Sequence, residues 1–227
     1  ALQPFKADRL VSACYGQKIP FEAIQAARFG GLNVHPSILP RWRGADPVPW
    51  AILSGDHQTG VTVVTLDEKF DDGRIIAQKK IPITDKDTSD ALRTKLFTIG
   101  AQLLGEILAS YTSDVKAVSH IGGVKLRGNI YARRLTRDDG FEPWDTIQKA
   151  FTDPKEARRI DRKFRAFFPW PGLWTKIEEK RLKILSLHVS PTTDYLLLDT
   201  VQWEGKKPIP YSTLLTASRQ RLHLSKE

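Results

Sequence analysis

A strand, a helix and a second strand follow one another in the first 37 residues, and this order constrains the fold most. The runs "DRLVSACYG" and "GGLNVHPS" are short and apolar, and they end at Gly16 and Pro36. Between them, "IPFEAIQAARFGG" has helical spacing and stops at a glycine pair, where helix C-caps belong. Two strands joined through a helix predict a parallel pair in an α/β sheet.

Two more strands and a long helix extend this pattern. The runs "GVTVVTL" and "RIIAQKKIPI" are rich in β-branched residues and flank the turn "DEKFDDG", which predicts a hairpin or two adjacent strands. From Ser89 to Tyr111, leucine and isoleucine recur at helical intervals, so an amphipathic helix is expected to pack on the sheet. We therefore predict an α/β domain over residues 1–111.

The second half of the chain has a different pattern. Residues 112–130 lose the periodicity and are rich in glycine and small polar residues, which predicts a linker. The run "TDPKEARRIDRKFRAF" predicts a helix, with Asp153 as N-cap, Pro154 at the first position and Glu156 at capping-box spacing. The β-like runs "LWTKI", "RLKILSL", "YLLLDTVQW" and "LTASRQRLHL" then predict a small β-barrel or sandwich.

Positive charge is concentrated in this second half. Residues 121–227 carry 21 Lys and Arg against 13 Asp and Glu, so they contribute +8 of the net charge of +9. Such asymmetry indicates a polyanionic partner, nucleic acid before membrane, but a solvated basic surface explains it equally well. Trp170 and Trp174, around "PWPG", are predicted to be core and turn residues rather than platforms for base stacking. Both readings also stay open for the basic face of the predicted helix, which holds Arg158, Arg159, Arg162, Lys163 and Arg165.

The remaining composition excludes several classes of protein. No apolar run approaches the roughly 20 residues that cross a bilayer, and no secretory signal pattern stands at the N-terminus. We therefore expect a soluble protein without a membrane partner. Cys14 has no second cysteine for a disulfide or a metal cluster, so it is expected to be a buried, inert thiol.

The stretch "LNVHPSILPRWRGADP" holds the first candidate functional residues. In an extended segment, residues two apart point to the same side, so Asn33 and His35 project together while Val34 faces the core. The carboxyl ends of parallel strands are where open α/β sheets hold their ligands. Alone, the pair is weak evidence, because a histidine before proline at a strand end is more often a loop residue.

A carboxylate in a distant turn strengthens the hypothesis. The run "KFDDGRII" places Asp71 and Asp72 in a glycine turn between two strands, where such residues usually serve the turn only. If the turn folds back toward His35, one carboxylate orients the imidazole and favours its protonated form. Asparagine, histidine and aspartate would then supply an oxyanion donor, an acid/base and an orienting carboxylate for acyl transfer. No cysteine and histidine spacing suggests a metal site.

These residues also carry a family resemblance. The segment "GLNVHPSILPRWRGADPVPWAILSGDHQTGVTVVTLDEKFDDGRIIAQ" resembles the signature of folate-dependent formyltransferases, which runs Asn-x-His-x-Ser-Leu-Leu-Pro, Arg-Gly, Gly-Asp-x-x-Thr-Gly-Val-Thr and a Leu-Asp-x-Gly turn. "YARRLTRDDGFEPW" and "RAFFPWPGLWT" resemble the C-terminal domain of the members that formylate methionyl-tRNA. The resemblance covers nearly the whole chain, most specifically residues 30–78 and 131–175.

The resemblance implies a fold and a domain plan. Residues 1–111 would form a Rossmann-like formyltransferase domain with a mainly parallel sheet. Residues 131–227 would form a smaller OB-like β-barrel that helps to bind tRNA. The first strands and helices of the family's catalytic domain have no match in this sequence, so the domain is expected to be N-terminally truncated.

The resemblance also implies the chemistry and the residues that perform it. A formyl group would pass from 10-formyltetrahydrofolate to the amino group of initiator methionyl-tRNA, in a cytoplasmic monomer and without a metal. The alternatives are transfer to another amine, such as an amino sugar nucleotide or glycinamide ribonucleotide, and a non-catalytic RNA-binding remnant. The catalytic residues would be Asn33, His35 and Asp71, where the choice of Asp71 over Asp72 rests on alignment alone.

Two further sets of residues follow from the same resemblance. The loop that contacts tetrahydrofolate maps to Ser37, Ile38, Leu39 and Pro40. Arg41 and Arg43 flank Trp42 and either meet tRNA phosphate or cap the pocket, with equal weight. In the basic helix, tRNA contact would fall to Arg158, Arg159, Arg162 and Lys163.

Overall fold

The structure is a computed structural model that describes residues 6–69, 71–109, 119–120 and 131–216. The chain divides into two compact units, Ala1–Arg134 and Leu135–Glu227. The predicted linker lies outside the described residues, apart from 119–120. Residues 131–134 were predicted to begin the C-terminal domain, whereas in the structure they pack with the first unit.

The first unit contains a five-stranded sheet and a separate pair of short strands. The five-stranded sheet has the order β1-β2-β4-β5-β6, and β3 pairs with β7. The elements are β1 (Leu10–Ala13), α1 (Phe21–Gln25), β2 (Gly31–His35), β3 (Arg43–Gly44), α2 (Pro47–Leu53), β4 (Gln58–Thr65), β5 (Arg74–Pro82), α3 (Ser89–Ala109), β6 (Ser119–His120) and β7 (Tyr131–Ala132).

The strand directions confirm the α/β class and correct one detail. β1 and β2 are parallel, as the intervening helix α1 predicts. β2 with β4, β4 with β5, and β5 with β6 are antiparallel, so the described sheet is mixed rather than mainly parallel. The physical reason lies partly in the turn between β4 and β5, which is too short for the crossover that a parallel pair needs.

Helix α3 covers one face of this sheet. It packs on β2, β4 and β5, and its Leu92 and Leu96 are fully buried. Gly100 lies where the helix approaches the sheet closely, because a Cβ there would come within 2.5 Å of Val34 Cγ1 and 2.9 Å of Val61 Cγ2. Among the described helices, none is long and apolar enough to span a membrane.

The second unit places two helices against an antiparallel sheet. The sheet order is β11-β10-β9-β8, and α5 packs on β8, β9 and β10. After a 3-10 turn at Arg137–Gly140, the elements are α4 (Trp144–Lys149), α5 (Pro154–Phe167), β8 (Leu173–Ile177), β9 (Lys180–Val189), β10 (Leu196–Trp203) and β11 (Ile209–Pro210).

The predictions for this unit succeed where the signals are local. The Asp153 side chain caps α5 by accepting a hydrogen bond from Lys155 N at 2.8 Å, as predicted. The antiparallel β domain is also found, as an open four-stranded sheet in the described residues. The fourth β-like run was wrong where it can be judged, because residues 215–216 are helical; its remainder lies outside the described residues.

Two glycines on α3 give a direct test of the helix–sheet contact. Gly100→Ala should destabilise the first unit by about 1 to 3 kcal/mol, because the methyl group overpacks against two stiff valines. Gly105→Ala is the matched control, since a Cβ there meets nothing within 4 Å, and it should stabilise the helix by about 1 kcal/mol. Chemical denaturation followed by circular dichroism measures both. Effects of the same sign would contradict the described packing.

Candidate active site

The structure brings Asn33, His35 and Asp71 together. Asn33 Nδ2 donates a hydrogen bond to Asp71 Oδ1 at 3.0 Å, and His35 Nδ1 lies 3.5 Å from the same oxygen. The other carboxylate oxygen accepts a hydrogen bond from Gly44 N at 3.1 Å. Asp71 reaches this position from a left-handed turn conformation with φ of +49°.

Asp71 and Asp72 differ in their surroundings, although they are adjacent in the chain. The Asp71 carboxylate is only 6% exposed and faces the asparagine and the histidine. Asp72 instead forms an ion pair with Arg43, with 3.0 Å between Oδ1 and Nη1. The geometry therefore favours the aspartate that the alignment selected.

His35 lies between two oxygen acceptors. Its Nε2 is 2.9 Å from the backbone oxygen of Trp42, and because a carbonyl only accepts, Nε2 carries a proton in this contact. Its Nδ1 faces Asp71 at ion-pair distance, so each ring nitrogen lies beside an oxygen. The 3.5 Å separation is longer than an ordinary hydrogen bond, which is common at catalytic contacts before a substrate binds.

The four residues predicted to contact folate follow β2, and two of them are buried. Ser37 and Leu39 are 0% and 2% exposed. Thr62 Oγ1 donates to Ser37 O at 2.6 Å, and Gln78 Nε2 donates to Leu39 O at 2.9 Å. Sequence reasoning missed these two polar side chains, because their partners are more than twenty residues away. Ser37, Ile38, Leu39 and Pro40 therefore support the loop after β2 and do not line the cavity beside the trio.

That cavity has a volume of about 490 Å³ and opens beside the trio. Its walls include residues 14–19 after β1, residues 65–69 after β4, and Phe97 of α3. Cys14 lines it as well and is exposed, not buried as predicted. Partial burial raises the pKa of the Cys14 thiol above its usual value, although nearby Arg93 opposes this, so the thiol stays protonated at neutral pH.

The two arginines near the trio are held by carboxylates. Arg41 makes a bidentate contact with Asp56, through Nε at 2.8 Å and Nη2 at 2.7 Å. Trp42 Nε1 donates to the same carboxylate at 2.7 Å, and the Arg41 guanidinium lies 4.5 Å from the Trp42 ring centroid. With Arg43 paired to Asp72, both arginines fix the loop in this structure.

The described residues contain no group of three or more His, Cys, Asp or Glu side chains placed to hold a metal ion.

Comparison with known proteins identifies the family to which the chain belongs. A family model described as formyl transferase matches residues 1–108, and one described as formyl transferase, C-terminal domain, matches residues 154–195.

The chain belongs to the formyl transferase family.

Curated relatives within this family share more than a third of their aligned residues with the chain. Methionyl-tRNA formyltransferase of Gluconobacter oxydans (strain 621H) is 38% identical over 184 residues, which are 81% of this chain and 55% of the relative. That of Paramagnetospirillum magneticum is 36% identical over 186 residues, or 82% and 57%. The chain thus spans about half the length of the curated relatives it matches.

Solved structures agree with the fold. HypX from Aquifex aeolicus in complex with tetrahydrofolic acid matches with a TM-score of 0.65 and 16% identity, over 94% of this chain and 39% of that chain. At this identity the likeness shows the fold alone.

In the second unit, carboxylates hold most of the basic face of α5. Arg159 Nη2 and Lys163 Nζ contact Glu142 Oε1 and Oε2 at 2.5 and 2.7 Å, and Glu142 is 5% exposed. Arg158 lies 3.6 Å from Asp194. Of the four α5 cations predicted to bind tRNA, only Arg162 has no ion pair among the described residues.

The Glu142 carboxylate is ionised because its partners outweigh its burial. Burial alone would raise its pKa, but hydrogen bonds from Arg159 and Lys163, with their charges, lower the pKa below its usual value. Arg159 and Lys163 therefore anchor α5 to the segment before α4. The basic face is largely a structural feature.

Glu142→Gln should cost the second unit about 2 to 3 kcal/mol at pH 7, because it leaves two partly buried cations without their counter-charge. The pKa of Glu142 is lower in the folded state than in the unfolded state, where it is about 4.3. The stabilisation by Glu142 is therefore present above the unfolded pKa and is lost as pH falls through the folded pKa. Hydrogen exchange of the α5 amides, measured from pH 7 to 3, reports the stability of this helix at each pH.

Glu156→Gln is the matched control for this prediction. Glu156 Oε2 also accepts from Arg159, at 2.8 Å, but its side chain is 25% exposed. Its loss should cost less than about 1 kcal/mol. Equal effects of the two substitutions, or a Glu142→Gln effect that persists unchanged at pH 3, would contradict the anchoring role.

Proposed function

We propose that this chain transfers a formyl group from 10-formyltetrahydrofolate to the amino group of initiator methionyl-tRNA. The observation that carries the proposal is the Asp71 carboxylate, which contacts both Asn33 and His35 beside a cavity of about 490 Å³. The names of the curated relatives supply the acceptor. Membership of the formyl transferase family supplies the reaction class.

The trio has the groups that acyl transfer to an amine requires. As the amine nitrogen bonds to the formyl carbon, Asn33 donates to the developing oxyanion and the His35 imidazolium supplies positive charge. Asp71 accepts a proton from the attacking amine. The proton then passes to the folate nitrogen as its bond to the formyl carbon breaks, so protons and bonds balance without any external reactant.

The cavity suits a folate. Its volume lies in the range of small-molecule sites, and both backbone and apolar side chains line it. Phe97 offers apolar surface for a flat ring, and residues 14–19 line the cavity beside it. We place the folate here, and Ser37–Pro40 act by holding the loop that positions His35.

The two units suggest two tasks. The first unit carries the trio and the cavity, so we assign formyl transfer to it. The second unit carries 17 Lys and Arg against 13 Asp and Glu and holds the basic helix α5, so we assign tRNA binding to it, with Arg162 a better candidate for phosphate contact than Arg159 or Lys163. We therefore keep the predicted roles, which are catalysis for the first unit and tRNA binding for the second.

Formyl transfer is tested by following label from 10-formyltetrahydrofolate into methionyl-tRNA. Asp71→Asn should lower turnover about 100- to 1,000-fold, because it keeps the shape but removes the charge that faces His35. Asp72→Asn is the matched control and should lower turnover less than about tenfold, since Asp72 pairs with Arg43 instead. Uncharged tRNA and a panel of amino sugar nucleotides test the acceptor. Equal losses in the two variants would refute the trio.

Folate binding is tested separately, with 5-formyltetrahydrofolate and isothermal calorimetry. Phe97→Ala should weaken binding about tenfold, because the ring lines the cavity beside the trio. Phe29→Ala is the control, since Phe29 is 36% exposed and lies outside the cavity. Unchanged affinity in Phe97→Ala, with the fold intact by circular dichroism, would move the folate out of this cavity.

A further inference from the structure

A second cavity, of about 320 Å³, lies wholly within the second unit. The 3-10 turn before α4, the turn after α5 and strands β9 and β10 contribute its walls. Three cations line it, Arg137, Arg181 and Lys183, together with two indoles, Trp170 and Trp203. None of these residues belongs to the buried ion network around Glu142.

The positive charge of this cavity is not neutralised from within. Glu204 is the one carboxylate among the described residues that line it. Arg137 and Lys183 make no ion pair within the described residues, in contrast to Arg159 and Lys163 on α5. The Nε of Arg181 is buried and has no hydrogen-bond partner there. Anionic oxygens would match these donors.

The aromatic walls narrow the chemistry of the ligand. Trp170 was predicted to be a core or turn residue; it lies in a turn but is 55% exposed. Two prolines flank it and restrict its backbone, so presenting the ring costs little conformational entropy. Behind the cavity, Arg181 stacks 4.0 Å above the Trp174 ring, and Phe141 packs on Trp174 at 4.8 Å. An exposed indole beside unpaired cations is the combination that binds single-stranded nucleic acid.

We propose that this cavity binds one unpaired nucleotide of an RNA. The base stacks on Trp170, and Arg137 and Lys183 hold the flanking phosphates. An acidic peptide would use the cations but leave the exposed indole without a planar partner. The proposal rests on the proposed function in taking tRNA as the RNA, and it assigns the second unit a defined subsite in place of a diffuse basic surface.

The test compares two labelled RNA hairpins with the full 227-residue chain by fluorescence anisotropy. The hairpins share one stem, and one of them carries a single bulged adenosine. The chain should bind the bulged hairpin about tenfold more tightly than the paired one, since stacking one base contributes about 5- to 150-fold. Trp170→Ala should abolish this preference, and Trp170→Phe should keep most of it. Because Trp170 is largely exposed, neither substitution opens a cavity in the core.

A charge-matched pair of variants tests the phosphate contacts. Arg137→Ala with Lys183→Ala should lower the slope of log affinity against log salt by about 1.4, at about 0.7 for each single-strand phosphate contact. Lys149→Ala with Lys176→Ala removes the same charge from surface positions outside the cavity and should lower the slope by less than about 0.5. Equal slopes in the two double variants, or no preference for the bulge in the unaltered chain, would overturn the proposal.

Formyl transfer measured on the same proteins keeps the two proposals apart. Trp170→Ala should raise KM for methionyl-tRNA and leave the affinity for 5-formyltetrahydrofolate unchanged. A chain that prefers the bulged hairpin but transfers no formyl group would keep this subsite and refute the proposed reaction. A chain that transfers formyl groups with the same KM for methionyl-tRNA after Trp170→Ala would keep the proposed reaction and refute this subsite.

Discussion

The buried carboxylate of Asp71 is the constraint on which the candidate active site depends. A charge that is 94% shielded from water is stable only when its oxygens are satisfied, and three groups from two chain segments do this. Asn33 and His35 come from the end of β2, and Gly44 N comes from β3. The turn after β4 must therefore fold back onto both, which fixes the mouth of the cavity at the same time.

Polar contacts of the same kind shape the loop between β2 and β3. Thr62 and Gln78 hold its buried first half, and Asp56 holds Arg41 and Trp42 in its second half. The Trp42 carbonyl that faces His35 is positioned by this second contact. The residues that resemble folate-contacting positions thus belong to the loop whose Trp42 carbonyl faces His35, and they do not line the cavity.

The sequence predicted Asn33, His35 and Asp71 as a group, but it did not predict the polar side chains that hold the neighbouring loop. The difference is that the first residues lie in local sequence patterns and the second do not. The strand that carries Asn33 and His35 shows a local apolar pattern, and the turn that carries Asp71 shows a local glycine signal. The choice of Asp71 required the alignment, because two adjacent aspartates look alike until the fold separates their partners. Asp56 and Thr62 fall within the family signature, but no local pattern assigns a role to them or to Gln78, because their contacts form only after the sheet is assembled. The same limit applies to strand direction beyond the first pair, where the mixed sheet departs from the predicted parallel one.

Net charge alone could not locate the surface that meets a polyanion, because a basic segment contains cations of two physical kinds. Most of those on α5 lie close to carboxylates, and the most buried of these carboxylates, Glu142, needs Arg159 and Lys163 to remain ionised. Breaking such contacts to reach phosphate would leave a buried charge unpaired, which costs more than a surface phosphate contact returns. Arg137 and Lys183, beside the tryptophan-lined cavity, can contact phosphate without leaving a buried carboxylate unpaired. Burial of the counter-charge therefore separates the two kinds of cation. On this argument a polyanion would contact Arg137 and Lys183 rather than α5, the helix that composition marks as most basic.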